Sequence, residues 1–502
     1  MEYSIWSIVP PILIITLVIL TRKIVLSLGL GILLASFIAA NGSITYAIQA
    51  ILQAVTGLFY DDGGWNSGNL YVLGFLLLLG ALTGLISALG GNRAFGQAIG
   101  RRIHTKQGAQ LMTATCGISL FPDDVFNMFV TSQITGPVID HAKVPRTKLA
   151  YLIHSTSDPT CVICPLSSWG AYIIGILTSI FAAHSITDNP LVAFMLIATT
   201  NFYALSTLLF AFSSAAFDIN IGRMRRSVKS RQLHGSSESS QGSIWDLIIP
   251  ISLLIIGAIA TMVITGYINS DAPSLMNIFS NSQVGLSLII GAGLATFVGF
   301  LLYIRQVFAN RQTISQLGSI LGKGMKTTLP AVEILLYAWV LSDFIDQLET
   351  GSYLAGLIES IALPAAFLPL IFFLLTGAMA FATGTSWGTF AIMLPIAAQI
   401  AEVTDPSLLF FLMSAVLSGS LFGDHCSPVS DTTTVAAAAA GCTQIEHVAT
   451  QLPYALICAT ITAISFLLLG ISGMRWISYL FIIGVIGLLI HYFKYRTKGH
   501  GT

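Results

Sequence analysis

The run Gly423-Asp424-His425-Cys426-Ser427-Pro428-Val429-Ser430-Asp431-Thr432-Thr433-Thr434 sets two carboxylates, an imidazole, six hydroxyls or thiols and a proline between two apolar stretches. Leu408 to Met413 precedes it and Val435 to Ala440 follows. At membrane depth, backbone this irregular survives only when buried in protein or lining a wet cavity. Ionisable residues there are costly and mark function by default. What surrounds this run therefore decides the fold.

The chain has 502 residues, 55% hydrophobic and 9% charged, with mean hydropathy +0.82. Soluble domains carry about 25% charged residues, so this composition is that of a polytopic membrane protein. The 45 glycines suit close packing of membrane helices. Net charge is zero, which gives no basic field for nucleic acid. Cys161-Val162-Ile163-Cys164 has redox or zinc spacing, but neither a second pair nor a His cluster follows it, so it reads as small-residue packing. The Met1-Glu2 start lacks a basic n-region, which makes the first apolar run a retained span.

Apolar runs of about 17–25 residues read as spans, and Lys and Arg in short loops mark the cytoplasmic side. Trp6 to Leu20 ends in Arg22-Lys23, and Ile24 to Ala40 returns to an outside loop with Asp61-Asp62. Leu70 to Leu89 then meets Arg93, Arg101, Arg102 and Lys106, so the N-terminus is expected outside. Ala109 to Asp140 leaves that basic loop and reaches another at Lys143, Arg146 and Lys148, with Phe121-Pro122-Asp123-Asp124 midway. That is the pattern of a re-entrant hairpin, although two close crossings would also return the chain to the same side.

Residues 149–184 read as one discontinuous helix, interrupted at His154 to Thr160 and at Pro165 to Ser168. Leu191 to Ala216 comes back to a basic loop and a hydrophilic linker through Gly242. Trp245 to Ile268 exits, Val284 to Ile304 re-enters, and Thr328 to Ser342 exits toward Asp343, Asp346, Glu349 and Glu359. Leu363 to Ile400, broken at Ala382 to Gly388, is a second hairpin dipping from outside. Leu408 to Ala440 crosses inward, Pro453 to Gly470 exits, and Trp476 to Phe493 returns to a basic tail.

The expected fold is thus an all-α polytopic membrane protein of about eleven transmembrane helices plus two re-entrant hairpins. Its divisions are N-terminal helices and an outside loop (1–69), a first transport repeat (70–217; hairpin 109–140, broken helix 149–184) and a cytoplasmic linker (218–243). Connecting helices (244–326), a second transport repeat (327–470; hairpin 363–401, broken helix 407–440) and a C-terminal helix with tail (471–502) follow. In each half a hairpin precedes a broken helix, and the loop charges give the halves inverted topology. Paired interrupted segments of this kind point to a secondary transporter with its site at the midplane.

Broken helices free backbone carbonyls for Na+, and half-helix N-termini favour anions. Hard cations want oxygen ligands, and the breaks supply Asp123, Asp124 and Asn127; Ser155, Thr156, Asp158, Ser167 and Ser168; Thr383, Thr385 and Ser386; and Asp424, Ser427, Ser430, Asp431 and Thr432. No Cys/His cluster suited to a soft metal is apparent. A carboxylate taken out of water favours its protonated form, so it holds a proton or Na+ but hardly both. Asp424, Ser430 and Asp431 are the expected Na+ ligands, and Asp431 is expected to share the ion with hydroxyls of Thr383 to Ser386 and of Ser155 to Ser168. His425, Asp424 and Glu333 are candidate proton relays. Some of these residues can equally serve as helix caps, Asp123 among them, and Trp169 and Trp387 read as packing residues.

Phe121-Pro122-Asp123-Asp124-Val125-Phe126-Asn127, Ser155-Thr156-Ser157-Asp158-Pro159, Pro165-Leu166-Ser167-Ser168-Trp169-Gly170, Gly384-Thr385-Ser386-Trp387-Gly388-Thr389-Phe390 and Gly423 to Thr433 together resemble the NhaC-type sodium/proton antiporter family of the ion transporter superfamily. The likeness runs roughly from Leu70 to Leu469, and Val125 departs from it where an aromatic residue would follow the Asp pair. The resemblance implies a multi-pass secondary transporter of the bacterial inner membrane.

The leading reading is Na+/H+ antiport by alternating access; the alternative is a Na+-coupled carrier of a small organic acid or amino acid. Expected partners are bilayer lipid, Na+, H+ and, in the alternative, an organic solute; no cofactor and no nucleic acid are expected, and a homodimer is allowed. The N-terminus is read as outside and the C-terminus as cytoplasmic. A hydrolase built on Asp424, His425 and a Ser is disfavoured, because adjacent residues point apart and no nucleophile elbow is present.

Overall fold

A computed structural model describes residues 5–498 apart from 22, 62–63, 101–102, 104, 185, 227–241, 271–273, 351–352, 354–355 and 357–363. The middle of the expected linker, Arg22, Arg101, Arg102 and Glu359 lie outside the described residues. The chain is almost wholly helical, as its composition requires.

A short 3-10 turn (Ile5–Ile8) leads into α1 (Val9–Thr21), α2 (Ile24–Ala39) and α3 (Ile44–Gly57). The two-stranded hairpin β1 (Tyr60–Asp61) and β2 (Gly64–Trp65) follows, then α4 (Ser67–Leu89) and α5 (Gly91–Gly100). The first half continues with α6 (Lys106–Ser119), α7 (Asp124–His141), α8 (Arg146–Ile163), α9 (Ser168–Ala183), α10 (Pro190–Thr199) and α11 (Phe202–Ala216). Connecting helices are α12 (Trp245–Ile268), α13 (Leu275–Ser280) and α14 (Val284–Phe308). The second half holds α15 (Ile314–Gln347), α16 (Leu368–Thr383), α17 (Ser386–Thr404), α18 (Leu409–Cys426), α19 (Asp431–Ala440), α20 (Gln444–Ser472) and α21 (Arg475–Lys498).

Among the described residues, ten stretches are long and apolar enough to cross a membrane, or eleven if α10 and α11, bent by 53°, form one. Membership differs from the sequence reading. Both arms of the second hairpin, α16 and α17, qualify. α1 and α2 have 13 and 16 residues, about 20 and 24 Å of helix against about 30 Å of hydrocarbon.

Three other expectations change. The stretch from His154 to Thr160 is not a break: α8 runs unbroken through Pro159 to Ile163. Pro159 is carried inside the helix at the loss of one ladder bond, and the neighbouring Thr156 and Thr160 hydroxyls bond back to the Leu152 and Thr156 carbonyls at 2.7 and 2.5 Å. The interruption is confined to Cys164–Ser167. The loop expected outside contains the amphipathic α3, capped by Ser43. Leu191 to Ala216, read as one run, breaks at Thr200-Asn201, where Asn201 caps α11.

The α8–α9 stretch is 83% buried in its most apolar window, against 17% for α21, so the broken helix forms the axis and α21 the rim. α12 and α21 turn Ile256, Ile264, Leu480 and Leu488 outward, as lipid-facing surfaces do. α16 and α18 meet backbone to backbone: a Cβ on Gly419 would lie 2.0 Å from Thr376 Oγ1 and 2.3 Å from Phe373 O. At the other end of the bundle His184, just past α9, bridges Asp346 of α15 (3.2 Å) and Glu402 of α17.

Two outcomes follow from this packing. Gly419→Val overpacks the α16–α18 seam and should cost about 1–3 kcal/mol, read as a lower melting temperature in detergent, while Gly484→Ala on α21, where a Cβ meets nothing within 4 Å, should be near neutral. The hydrogen bond to Asp346 holds His184 above its ordinary value of 6.5, with Glu402 adding to the effect. A raised folded value favours the protonated fold, so this contribution is complete below 6.5 and is lost as pH rises through the raised value. Melting temperatures of wild type and His184→Gln, compared from about pH 6 to 9, should therefore converge as pH rises.

Candidate ion-binding site

Each of the four interruptions ends in a helix whose first turn is capped by a polar side chain. Asp123 accepts from Phe126 N at 2.9 Å, Ser167 from Gly170 N at 2.8 Å, Thr385 from Gly388 N at 3.4 Å and Ser430 from Thr433 N at 3.2 Å. The caps satisfy amides that would otherwise be orphaned. Four of the expected ligands thus spend one oxygen on backbone.

Each hairpin tip docks on the broken helix of its own half. Ser168 N donates to Pro122 O at 2.8 Å and Ser157 Oγ to Asp124 O at 2.9 Å in the first half. In the second, Ser427 Oγ donates to Phe381 O at 2.8 Å, and a Cβ on Gly384, at φ +72, would sit 2.6 Å from Val429 O. Asn127 is an anchor within its hairpin: its amide donates to Gly117 O at 2.6 Å and its oxygen accepts from Thr131 at 2.9 Å. Tyr172 OH, donating to Trp387 O at 3.0 Å, and Ser132 Oγ, donating to Ala439 O at 2.6 Å, tie the halves together.

Between the docked tips lies a cavity of about 550 Å³. Asp123, Asp124 and Ser168 line it from the first half; Thr385, Ser386, Asp424, Asp431 and Thr432 line it from the second. Among the described residues, Lys23 is the one cation in that lining. Asp124 and Asp424 are buried and Asp431 is exposed at the start of α19. Asp424 Oδ2 accepts from Ser386 Oγ at 3.0 Å, while its Oδ1 has no hydrogen bond. Of the Thr383 to Ser386 hydroxyls it is thus Ser386 that meets a carboxylate, and the carboxylate is Asp424 rather than Asp431. Trp387 also lines the cavity, whereas Trp169 is fully buried against it with ring centroids 5.6 Å apart.

Other expected residues stand apart from the cavity wall. Thr383 Oγ1 and Thr156 Oγ1 donate to carbonyls of their own helices, and Ser155 is buried with no hydrogen bond to its hydroxyl. Ser430, the cap, also shares a 3.0 Å hydrogen bond with Thr432. Glu333 is exposed on α15 and joins neither carboxylate. Asp158 and His425 belong to a buried histidine cluster behind the cavity: His154 Nδ1 lies 3.0 Å from His447 Nε2, and His154 Nε2 lies 3.1 Å from Thr432 Oγ1.

No Cys/His cluster suited to a soft metal was expected; in the structure His154, Asp158 and His425 present three donor atoms within 4.8 Å of one another. In the sequence His154 opens the polar stretch through Thr160, and His447 with Gln451 forms an i, i+4 polar pair on an apolar helix, which is the local signal for this cluster. What was not available was the fold that brings residues some 290 positions apart into contact (His154 to His447, 293 apart).

A helical bundle with capped breaks around a carboxylate-lined cavity defines a secondary transporter. A profile of the Na+/H+ antiporter family matches residues 160–471, and the chain belongs to that family. An uncharacterized protein of Haemophilus influenzae is 40% identical over 481 residues, covering 93% of this chain and 91% of its own length. A Na(+)/H(+) antiporter of the same organism, itself uncharacterized, is 40% identical over 91 residues, 17% of this chain and 19% of its own length. The malate-2H(+)/Na(+)-lactate antiporter of Bacillus subtilis is 28% identical over 195 residues, 38% of this chain and 39% of its own length. Among solved structures, the YdaH transporter of Alcanivorax borkumensis shares the fold with TM-score 0.55 at 15% identity, over 87% of this chain and 90% of that one. The chain is a multi-pass membrane transporter and not an enzyme.

If Asn127 is structural, Asn127→Ala strands the buried Gly117 carbonyl. This should cost about 1–3 kcal/mol of stability, seen in thermal unfolding, and leave the half-saturating Na+ concentration of transport unchanged.

Proposed function

We propose that the chain exchanges Na+ for protons by alternating access, with Asp424 as the carboxylate that holds each in turn. The observation that carries this is the cavity itself: Asp424, hydrogen-bonded to Ser386, and Asp124 enter one space of about 550 Å³ from opposite halves. A hard alkali cation takes oxygen donors, which Asp424, Ser386 and Thr432 supply, and Asp431 at the wall adds a second negative charge. Ser430 supports this set as the cap that orients α19. Proton and Na+ compete for the same buried oxygens, so release of one permits binding of the other.

The proposal includes two repeats of inverted topology, 70–217 and 327–470, whose hairpins are re-entrant, and a bacterial inner membrane with the N-terminus outside. The matching order in both halves, a helix–turn–helix docked on a broken helix, supports the first; Lys143 in the α7–α8 turn, with Arg146 and Lys148 in the first turn of α8, supports the second. In proteoliposomes with an acidic interior, added Na+ should raise internal pH with no organic solute present. Asp424→Asn should cut that flux at least about tenfold, since it removes the charge a buried cation needs, and Asp431→Asn should mainly raise the half-saturating Na+ concentration. Undiminished antiport in Asp424→Asn would sink the assignment.

A further inference from the structure

Behind the cavity, His154 and Asp158 sit one turn apart on α8, and His425 reaches them from the end of α18. His154 Nε2 is 3.2 Å and His425 Nε2 is 3.8 Å from Asp158 Oδ2, and the three donor atoms lie within 4.8 Å of one another. We propose that these three side chains form a binding site for a divalent transition-metal ion such as Zn2+, which clamps α8 of one repeat to α18 of the other.

Three features of the cluster carry this. The first is spacing: donors about 2.1 Å from a tetrahedral ion are about 3.4 Å apart, close to the separations found here. The second is unmet bonding. His425 Nε2 and both Asp158 oxygens make no hydrogen bond although the two side chains are at most 1% exposed, and such groups are costly when buried without a partner. The third is the surrounding shell. His154 Nδ1 faces His447 Nε2 at 3.0 Å and Gln451 Nε2 at 2.9 Å, and His425 Nδ1 faces Tyr203 OH at 3.2 Å. The Tyr203 hydroxyl can accept from His425 Nδ1 and so fix that ring with Nε2 turned inward, as in metal-ligating histidines.

The donor set argues against Na+ here. Two imidazole nitrogens and one carboxylate suit first-row divalent ions, whereas alkali ions prefer an all-oxygen shell. The site is distinct from the Asp424 cavity but adjoins it through Thr432, whose hydroxyl lies 3.1 Å from His154 Nε2 and which lines the cavity wall. An ion entering the cavity thus has one side chain to pass, and Thr432 offers a further oxygen donor. Because the clamp spans both repeats, occupancy should slow transport; that consequence alone rests on the antiport reading above.

The test uses full-length protein in detergent, stripped with chelator and dialysed against Zn2+. One zinc per chain should be retained. X-ray absorption of the zinc-loaded wild type should show two imidazoles and no sulfur. His154→Gln and His425→Gln should each weaken binding at least about tenfold, and His447→Gln, an outer contact, by about ten- to a hundredfold. Absence of retained zinc, a shell with fewer than two imidazoles, or sulfur in the shell would overturn the site. The wild-type spectrum decides even if a variant fails to fold. Flux in proteoliposomes is read separately: zinc that binds through two imidazoles yet leaves antiport unchanged overturns the clamp.

Discussion

An interrupted helix inside a membrane must satisfy the amides and carbonyls that the interruption releases, because no bulk water is there to do so. Everything near the centre of this molecule answers to that requirement. Asp123, Ser167, Thr385 and Ser430 each give an oxygen to the first turn of the helix they begin. Ser168, Ser157, Cys161 and Ser427 tie hairpin tips to broken helices through backbone groups. Much of the polarity that makes the central segments conspicuous is therefore consumed in holding them open.

What remains after that consumption is the material for transport. Asp424 has one oxygen engaged by Ser386 and one without a hydrogen bond, and Asp124 faces the same cavity from the other half. The surplus is small and localised, which suits a site that must bind a cation and let it go. Close backbone contact seats Asp424: Gly419 and Gly423 let α18 lie against α16, and a Cβ on Gly423 would stand 2.3 Å from Gly377 O. Small residues of this kind let membrane helices approach where no hydrophobic drive separates them from lipid.

The histidine cluster follows a different logic. Its members come from α8, α18 and α20, and their partners are each other, Gln451, Tyr203 and Thr432, with hardly any backbone involved. It is the most polar part of the most buried helix in the bundle. Polar groups so placed either complete one another or wait for an ion, and Asp158 is not completed.

The amino-acid sequence by itself determined the class of fold, the order of hairpin and broken helix in each half, and the four breaks that bear oxygen ligands, since hydropathy, loop charge and Pro/Gly/Ser punctuation are local properties. It also placed Asp424 and Ser386 among the candidate ligands. Only the tertiary structure decided that α8 continues through Pro159, because a proline that ends an isolated helix can be carried within one that is packed on all sides. It alone separated caps from free carboxylates, set Asp424 and not Asp431 against Ser386, left Glu333 on the surface and drew His447 to His154. Those distinctions depend on which side chain meets which across helices hundreds of residues apart. Packing settles that, and no local pattern carries it.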